Sequence, residues 1–423
     1  MRRLAGLLLA ALLSLPAAAA DLENLAQRYL VLELAMGRID PAHVDAYFGP
    51  PELEKAAQAA AWDAEAIIDR ADAINTTLAE LKLANDDPDT AMRIKGLQER
   101  LRALTTRAHM SMGTHYPFDE ESRLLFGAVA PHHDSAFFQG VLDQIDDLLP
   151  GDGPLAERVN DFRAQFYIPA DKLDAVFEAS LAACRERTQA RMTLPDNESF
   201  TIEYVTDKPW SGYNWYQGNA HSLIQLNQDL PTGIDRAVDL GCHEGYPGHH
   251  VYNALLEREL VQGKGWVEYS LYPLFSPQSL IAEGSANYGI QMAFSREERI
   301  AFEKDVLFPL AGLDVGEADR YYELMDLMAE LSYAGNSAAR AYLDGEITRE
   351  AAIAWLQQYA LSSPERAAQR VDFFDTYRSY VINYNLGRDL VGQWVERDGA
   401  DADERWARFT RLLSSPMSAA DLE

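Results

Sequence analysis

Gly241-Cys242-His243-Glu244-Gly245-Tyr246-Pro247-Gly248-His249-His250 is the stretch on which the reading of this chain turns. Three of the nine histidines and one carboxylate fall within its last eight positions. Aliphatic Ala237, Val238 and Leu240 precede it, and an amphipathic run from Val251 to Leu260 follows. Side chains that bind metals and move protons are therefore set inside a segment whose apolar spacing reads as a helix packed on a core.

The order is one step away from H-E-x-x-H. In that pattern two histidines one helical turn apart share a zinc ion, and the Glu beside the first serves as general base. Here the fourth position after His243 is Pro247. Proline removes a helical hydrogen bond and glycine tolerates the angles that a bulge needs, so Pro247 and Gly248 can loop out together. The remaining order, His243-Glu244-Gly245-Tyr246-His249, restores the spacing. Looping out one residue more would put His250 there instead. On an unbroken helix His250 would lie about 10 Å along the axis from His243, too far to share an ion. Catalytic zinc takes three protein ligands and keeps a position open. In zinc peptidases of the glutamate-ligand kind the third ligand comes from a helix downstream. The candidate is Glu283, in Leu280-Ile281-Ala282-Glu283-Gly284-Ser285-Ala286-Asn287-Tyr288, an acid in an apolar helix where an unpartnered carboxylate is costly. The competing readings are incidental histidines on a surface loop and an ion pair between Glu283 and a C-terminal Arg.

Outward from the cluster, the 423 residues carry a formal net charge of -29, and the pI is about 4.6. Such a surface repels phosphate backbones and anionic lipid, which argues against a nucleic-acid partner. Arg2 and Arg3, an apolar run from Leu4 to Leu15, and Pro16 followed by Ala17 to Ala20 read as a cleavable export signal. Export to the periplasm or beyond is expected, with no membrane insertion afterwards. Cys184 and Cys242 are the two cysteines. One disulfide is possible in an oxidising compartment, and Cys242 reads as a small buried hydrophobe rather than a ligand.

Helical periodicity dominates residues 21–193, including expected helices at Pro41 to Tyr47 and Pro51 to Ala84. The texture changes near Leu194. Phe200 to Val205 and His221 to Asn227 alternate like strands around an aromatic loop, Trp210 to Tyr216, and helices return from Pro277, with one long helix expected from Ser363 to about Glu396. The expected organisation is a leader (1–20), a helical lobe (21–193) and a metal-binding lobe with C-terminal helices (194–423).

His243-Glu244-Gly245-Tyr246-Pro247-Gly248-His249-His250 resembles the H-E-x-x-P-G-H-H signature of a bacterial family filed as domain of unknown function 885. Glu283 to Tyr288 is similar to that family's E-G-x-A-x-Y helix, and Tyr384-Asn385-Leu386-Gly387 to its Tyr-x-x-Gly element. Ser285 and Tyr252 depart from the family's usual bulky aromatic and Gln. The resemblance implies a mainly α metallopeptidase-like fold with a small sheet beside the zinc helix, a cleft between lobes, and Zn2+ as cofactor. On that footing the metal ligands are His243, His249 (or His250) and Glu283, and Glu244 is the base. Whichever of His249 and His250 is free of metal, together with Tyr384 or Tyr380, would face the oxyanion, and Arg388 would take a substrate carboxylate. The strand His221 to Asn227 would pair with an extended substrate, with His221 and Asn219 as further contacts. The partner would be a peptide or other small molecule. Two rival functions are a zinc hydrolase of another amide or ester, and a metal-free binding protein with an aromatic cleft of Trp210, Tyr213, Trp215 and Tyr216.

Overall fold

The computed structural model describes residues 17–83, 87–208 and 210–423. The predicted leader lies outside the described residues as far as residue 16. Helices dominate, with two small sheets among them. No helix among the described residues is long and apolar enough to cross a membrane.

Four helices, Ala17–Ile39, Pro51–Ala60, Ala64–Leu83 and Pro88–Ser111, enclose a core of their own around Tyr29, Ile67, Ile74, Ile94 and Leu97. Their boundaries follow from local chemistry. Pro51 and Pro88 open helices where their missing N–H costs nothing, and the Asp87 carboxylate accepts from Thr90 N. Buried charged contacts tie this unit to the rest. Arg93 donates to both oxygens of Glu268 at 2.7 Å, and Arg100 donates to Gln278 Oε1 at 2.7 Å.

Between the first two of these helices, Val44–Tyr47 forms strand β1 rather than the helix expected there. It pairs antiparallel with β5, Leu271–Pro273. A four-residue segment has too few positions for its own pattern to decide, and this distant partner decides it. The second sheet contains β2 (Ser199–Val205), β3 (Gly212–Tyr216) and β4 (His221–Asn227) in the order β2-β4-β3. The expected aromatic loop is thus largely a strand. β4 runs parallel to β2 and antiparallel to β3. Its backbone is committed on both sides, so it cannot pair with a substrate as the sequence suggested.

Cys184, on helix Leu173–Gln189, forms a disulfide with Cys242, the Cα atoms 5.4 Å apart. Cys242 is buried as expected, but as half of a crosslink. Two other helices, Pro277–Ala293 and Ile382–Glu396, cross in backbone contact. A Cβ on Gly284 would lie 2.5 Å from the carbonyl of Gly387, and one on Gly387 would lie 2.7 Å from Leu280 O. The two glycines singled out in separate motifs are therefore one contact, and it brings Tyr380 and Tyr384 towards Glu283. The expected long helix from Ser363 is interrupted after Tyr377: Arg378 has φ 52°. Glu121 holds that break, accepting from Arg378 Nε at 2.7 Å and Ser379 N at 3.1 Å. This long-range capture compensates the backbone strain at Arg378.

Candidate metal centre

The helix Asp235–Leu240 continues through a widened turn, Gly241–Gly245, and then breaks. Tyr246 and Gly248 leave helical angles and helix resumes at His249–Leu256. Gly248 N donates back to Cys242 O at 3.0 Å. A Cβ on Gly248 would run into the carbonyl oxygens of His243 and Cys242, so this close approach excludes every other residue.

The break brings the Nε2 atoms of His243 and His249 to 3.1 Å. Glu283 Oε2 lies 3.3 Å from the first and 3.7 Å from the second. Donors about 2.0–2.1 Å from a tetrahedral zinc stand about 3.3 Å from one another. The same Oε2 is buried and accepts no hydrogen bond, although it lies within ion-pair reach of both rings. Its sister oxygen Oε1 accepts from Tyr380 Oη at 2.7 Å. A buried carboxylate with one oxygen oriented by a donor and the other aimed at two imidazole nitrogens fits a metal ion. Glu244 is also near: one of its oxygens and a ring nitrogen from each of His243 and His249 lie within 4.8 Å of one another. Its Oε1 stands against Gly212, where a Cβ would come within 2.7 Å.

Electrostatics around these nitrogens call for positive charge. Burial opposes a charged His249 ring, yet Glu283, Glu244 and Asp45 push its pKa up to about 9. Burial likewise opposes ionisation of Glu283, but His249 and His243 hold it well below the usual carboxylate range. Burial dominates at Glu244 and raises its pKa, while the two histidines partly offset the rise. Asp45 on β1 was not anticipated from sequence. Its pKa is raised to about 7, chiefly by burial, and it joins the same charge cluster.

The centre lies in the wall of a cavity of about 1310 Å³, which Asp45, His243, Glu244, His249, Glu283, Tyr380, Tyr384 and Arg388 all line. Tyr380 is committed to Glu283, which makes it an orienting group for that carboxylate instead of a free substrate contact. Tyr384 is half-buried, and burial with Glu283 raises its pKa, so its hydroxyl keeps its proton. Arg388 reaches the cavity but is paired with its neighbour Asp389 at 2.8 Å. His221 and Asn219 are not part of the lining; His221 Nδ1 meets Ser199 Oγ at 2.9 Å, and Asn219 bonds to Asn197. The aromatic cleft does not assemble either. Trp210 and Tyr213 line the cavity, whereas Trp215 is exposed and Tyr216 is buried with its hydroxyl on Glu257.

His250 corrects the sequence reading most directly. It was expected on the metal or at the oxyanion, but it turns away, fully buried. Its Nδ1 meets Ser222 Oγ at 2.8 Å and its Nε2 meets Glu198 Oε2 at 3.2 Å. Successive helical residues point about 100° apart, so seating His249 on the cavity sends His250 to the sheet. Glu198 also accepts from Tyr246 Oη and Arg185. Burial would raise the Glu198 pKa, but the bonds from His250, Tyr246 and Arg185 outweigh it and hold the group at about 2 against a normal 4.5. A depressed folded-state pKa contributes stability that is present above pH 4.5 and lost as pH falls toward 2. The window corresponds to about 3 kcal/mol. Glu198→Gln should therefore lower stability at neutral pH and flatten the pH dependence between these limits by that order. Denaturant titrations across the window measure it, and an unchanged slope would refute the assignment.

No protein-family model matches the chain, so the family resemblance rests on the signature residues themselves. No curated protein matches it. Among solved structures it is similar to "the putative lipoprotein from Colwellia psychrerythraea", at 13% identity and TM-score 0.51, over 84% of this chain and 65% of that one. It is also similar to "a putative lipoprotein of unknown function from Shewanella oneidensis", at 13% identity and TM-score 0.44, over 88% of this chain and 74% of that one. A third likeness is to the M32 carboxypeptidase from Deinococcus radiodurans R1, at 13% identity and TM-score 0.42, over 94% of this chain and 90% of that one. This chain spans about 65% of the length of the Colwellia protein, and what the two share is the fold.

Proposed function

We propose that this chain is an exported zinc-dependent hydrolase, and specifically a peptidase acting on oligopeptides. The observation that carries the reading is the convergence of His243 Nε2, His249 Nε2 and Glu283 Oε2, a buried oxygen that accepts no hydrogen bond, within 3.1–3.7 Å, beside a second buried carboxylate, in a cavity wall. Zinc at that point would supply Lewis acidity and make water a better acid.

The chain's own residues supply the rest. Glu244 takes a proton from the attacking water as the new C–O bond forms, and returns it to the amine nitrogen as the C–N bond breaks. Its raised pKa suits both roles, because burial weakens its preference for the ionised form. Tyr384 keeps its proton and can donate to the oxyanion that develops on the carbonyl oxygen. Tyr380 and Asp45 act indirectly, the first by orienting Glu283 and the second by adding negative charge near His249. A peptide needs a backbone partner as well. β3 is an edge strand, and Ser211, Gly212, Tyr213 and Asn214 face the cavity, so this edge can take an extended substrate where β4 cannot. The Cys184–Cys242 crosslink suits an oxidising compartment and supports export.

Incubation with a mixed oligopeptide library tests the reading. Cleavage should stop with a chelator and return with one equivalent of zinc. A protein that takes up no stoichiometric zinc and cleaves nothing would refute it.

A further inference from the structure

The cavity that holds an acidic metal centre also holds a guanidinium group with no acid to pair with. Arg366, Gln369, Arg370, Phe373 and Tyr377 recur at helical spacing along Pro364–Tyr377 and all line it. Two other cavity arginines are matched: Arg299 to Asp239 at 2.8 Å, and Arg388 to Asp389 at 2.8 Å. Arg370 is not. Its guanidinium carbon packs 4.7 Å from the ring centre of Phe373, 5.6 Å from Phe374 and 5.8 Å from Tyr384, and among the described residues no carboxylate acts on its charge. Burial pulls its pKa down with no counter-ion to restore it. One turn earlier, Arg366 adds positive charge: it donates to Pro231 O at 2.7 Å and feels Asp235, but Arg163 and Arg236 crowd it with more positive charge. A buried guanidinium without a carboxylate is costly, so one that lines the cleft of a chain with 66 acidic residues against 37 Lys and Arg points to an anionic ligand.

We propose that Arg370, reinforced by Arg366, binds a carboxylate of the substrate, and that the enzyme takes peptides presenting that carboxylate close to the bond being cut. The assignment rests on the peptidase reading and adds the substrate class to it. The placement is apt. Arg370 is two aromatic rings from the centre, since it packs on Tyr384, Tyr384 lies beside Tyr380 at 5.8 Å between ring centres, and Tyr380 bonds to Glu283. An extended peptide advances about 3.3–3.6 Å per residue, so a carboxylate a few residues beyond the scissile bond would reach a guanidinium so placed. Arg370 has a planar guanidinium packed against aromatic rings, which limits its rotation and suits its fork to two parallel hydrogen bonds to a carboxylate. That carboxylate is either the free C-terminus or an acidic side chain.

The experiment compares peptides with a free C-terminus, the matching C-terminal amides, and Glu-to-Gln versions of each. Wild-type protein, Arg370→Met and Arg370→Lys are assayed for cleavage. Calorimetric binding of the same peptides is measured in a Glu244→Gln background, which does not depend on turnover. Removing the recognised carboxylate should weaken wild-type binding about 10- to 100-fold. Arg370→Met should abolish that discrimination, and Arg370→Lys should restore part of it. Discrimination that follows the C-terminus assigns an exopeptidase, and discrimination that follows the Glu side chain assigns an acidic-residue preference; both support the site. Equal binding of all four peptide forms, or discrimination that survives in Arg370→Met, overturns it. If acids bind selectively but nothing is cleaved, the Arg370 assignment stands and the peptidase reading fails.

Discussion

Glu244→Gln is expected to lower peptide hydrolysis by about 10²- to 10⁴-fold while leaving fold and metal content unchanged. The substitution keeps the size and shape of a side chain that is 3% exposed and stands against Gly212. It removes the only property the mechanism needs, which is the ability to accept and return a proton. Stability should hold or rise slightly, because burial already disfavours the ionised form of Glu244. Metal analysis of the purified variant beside its turnover number measures both halves. Retained zinc with lost turnover supports Glu244 as base and Glu283 as ligand. Lost zinc would exchange the two roles, since Glu244 also approaches both ring nitrogens within 4.8 Å.

The second large effect separates neighbours in sequence. His249→Ala should weaken zinc binding by more than roughly 100-fold, since even groups that only orient a ligand are worth 10- to 100-fold. His250→Ala should bind zinc stoichiometrically but lose about 2–3 kcal/mol of stability, because Ser222 would keep a buried hydroxyl without its partner and Glu198 Oε2 would keep only its bond from Tyr246. Metal titration and chemical denaturation of both variants suffice. If His250→Ala loses the metal and His249→Ala keeps it, the register of the bulge is wrong.

Much of the candidate site is legible in the sequence. A His-Glu cluster interrupted by Pro-Gly announces a metal motif because few other chemistries place those types so densely. Glu283 is conspicuous because an acid in an apolar helix needs a partner. β2 and β4 are legible too, since strict alternation over several residues is a strong local signal. Other features have no local signature. β1 is too short for its pattern to distinguish strand from helix, and Asp45 enters the cavity only because that strand finds β5 over 200 residues away. The order β2-β4-β3, which moves the available edge from β4 to β3, follows from pairing alone.

By itself, then, the sequence determined the helical class, the acidic surface and the residue types of the centre, because composition, periodicity and spacing are properties of nearby residues. Tertiary structure alone decided which histidine faces the cavity, that Cys184 meets Cys242, that Tyr380 is committed to Glu283 and that Arg370 goes without a counter-ion. Each of these depends on an approach between distant segments. Gly284 crossing Gly387 and Glu121 capturing the break at Arg378 are contacts that no local pattern encodes.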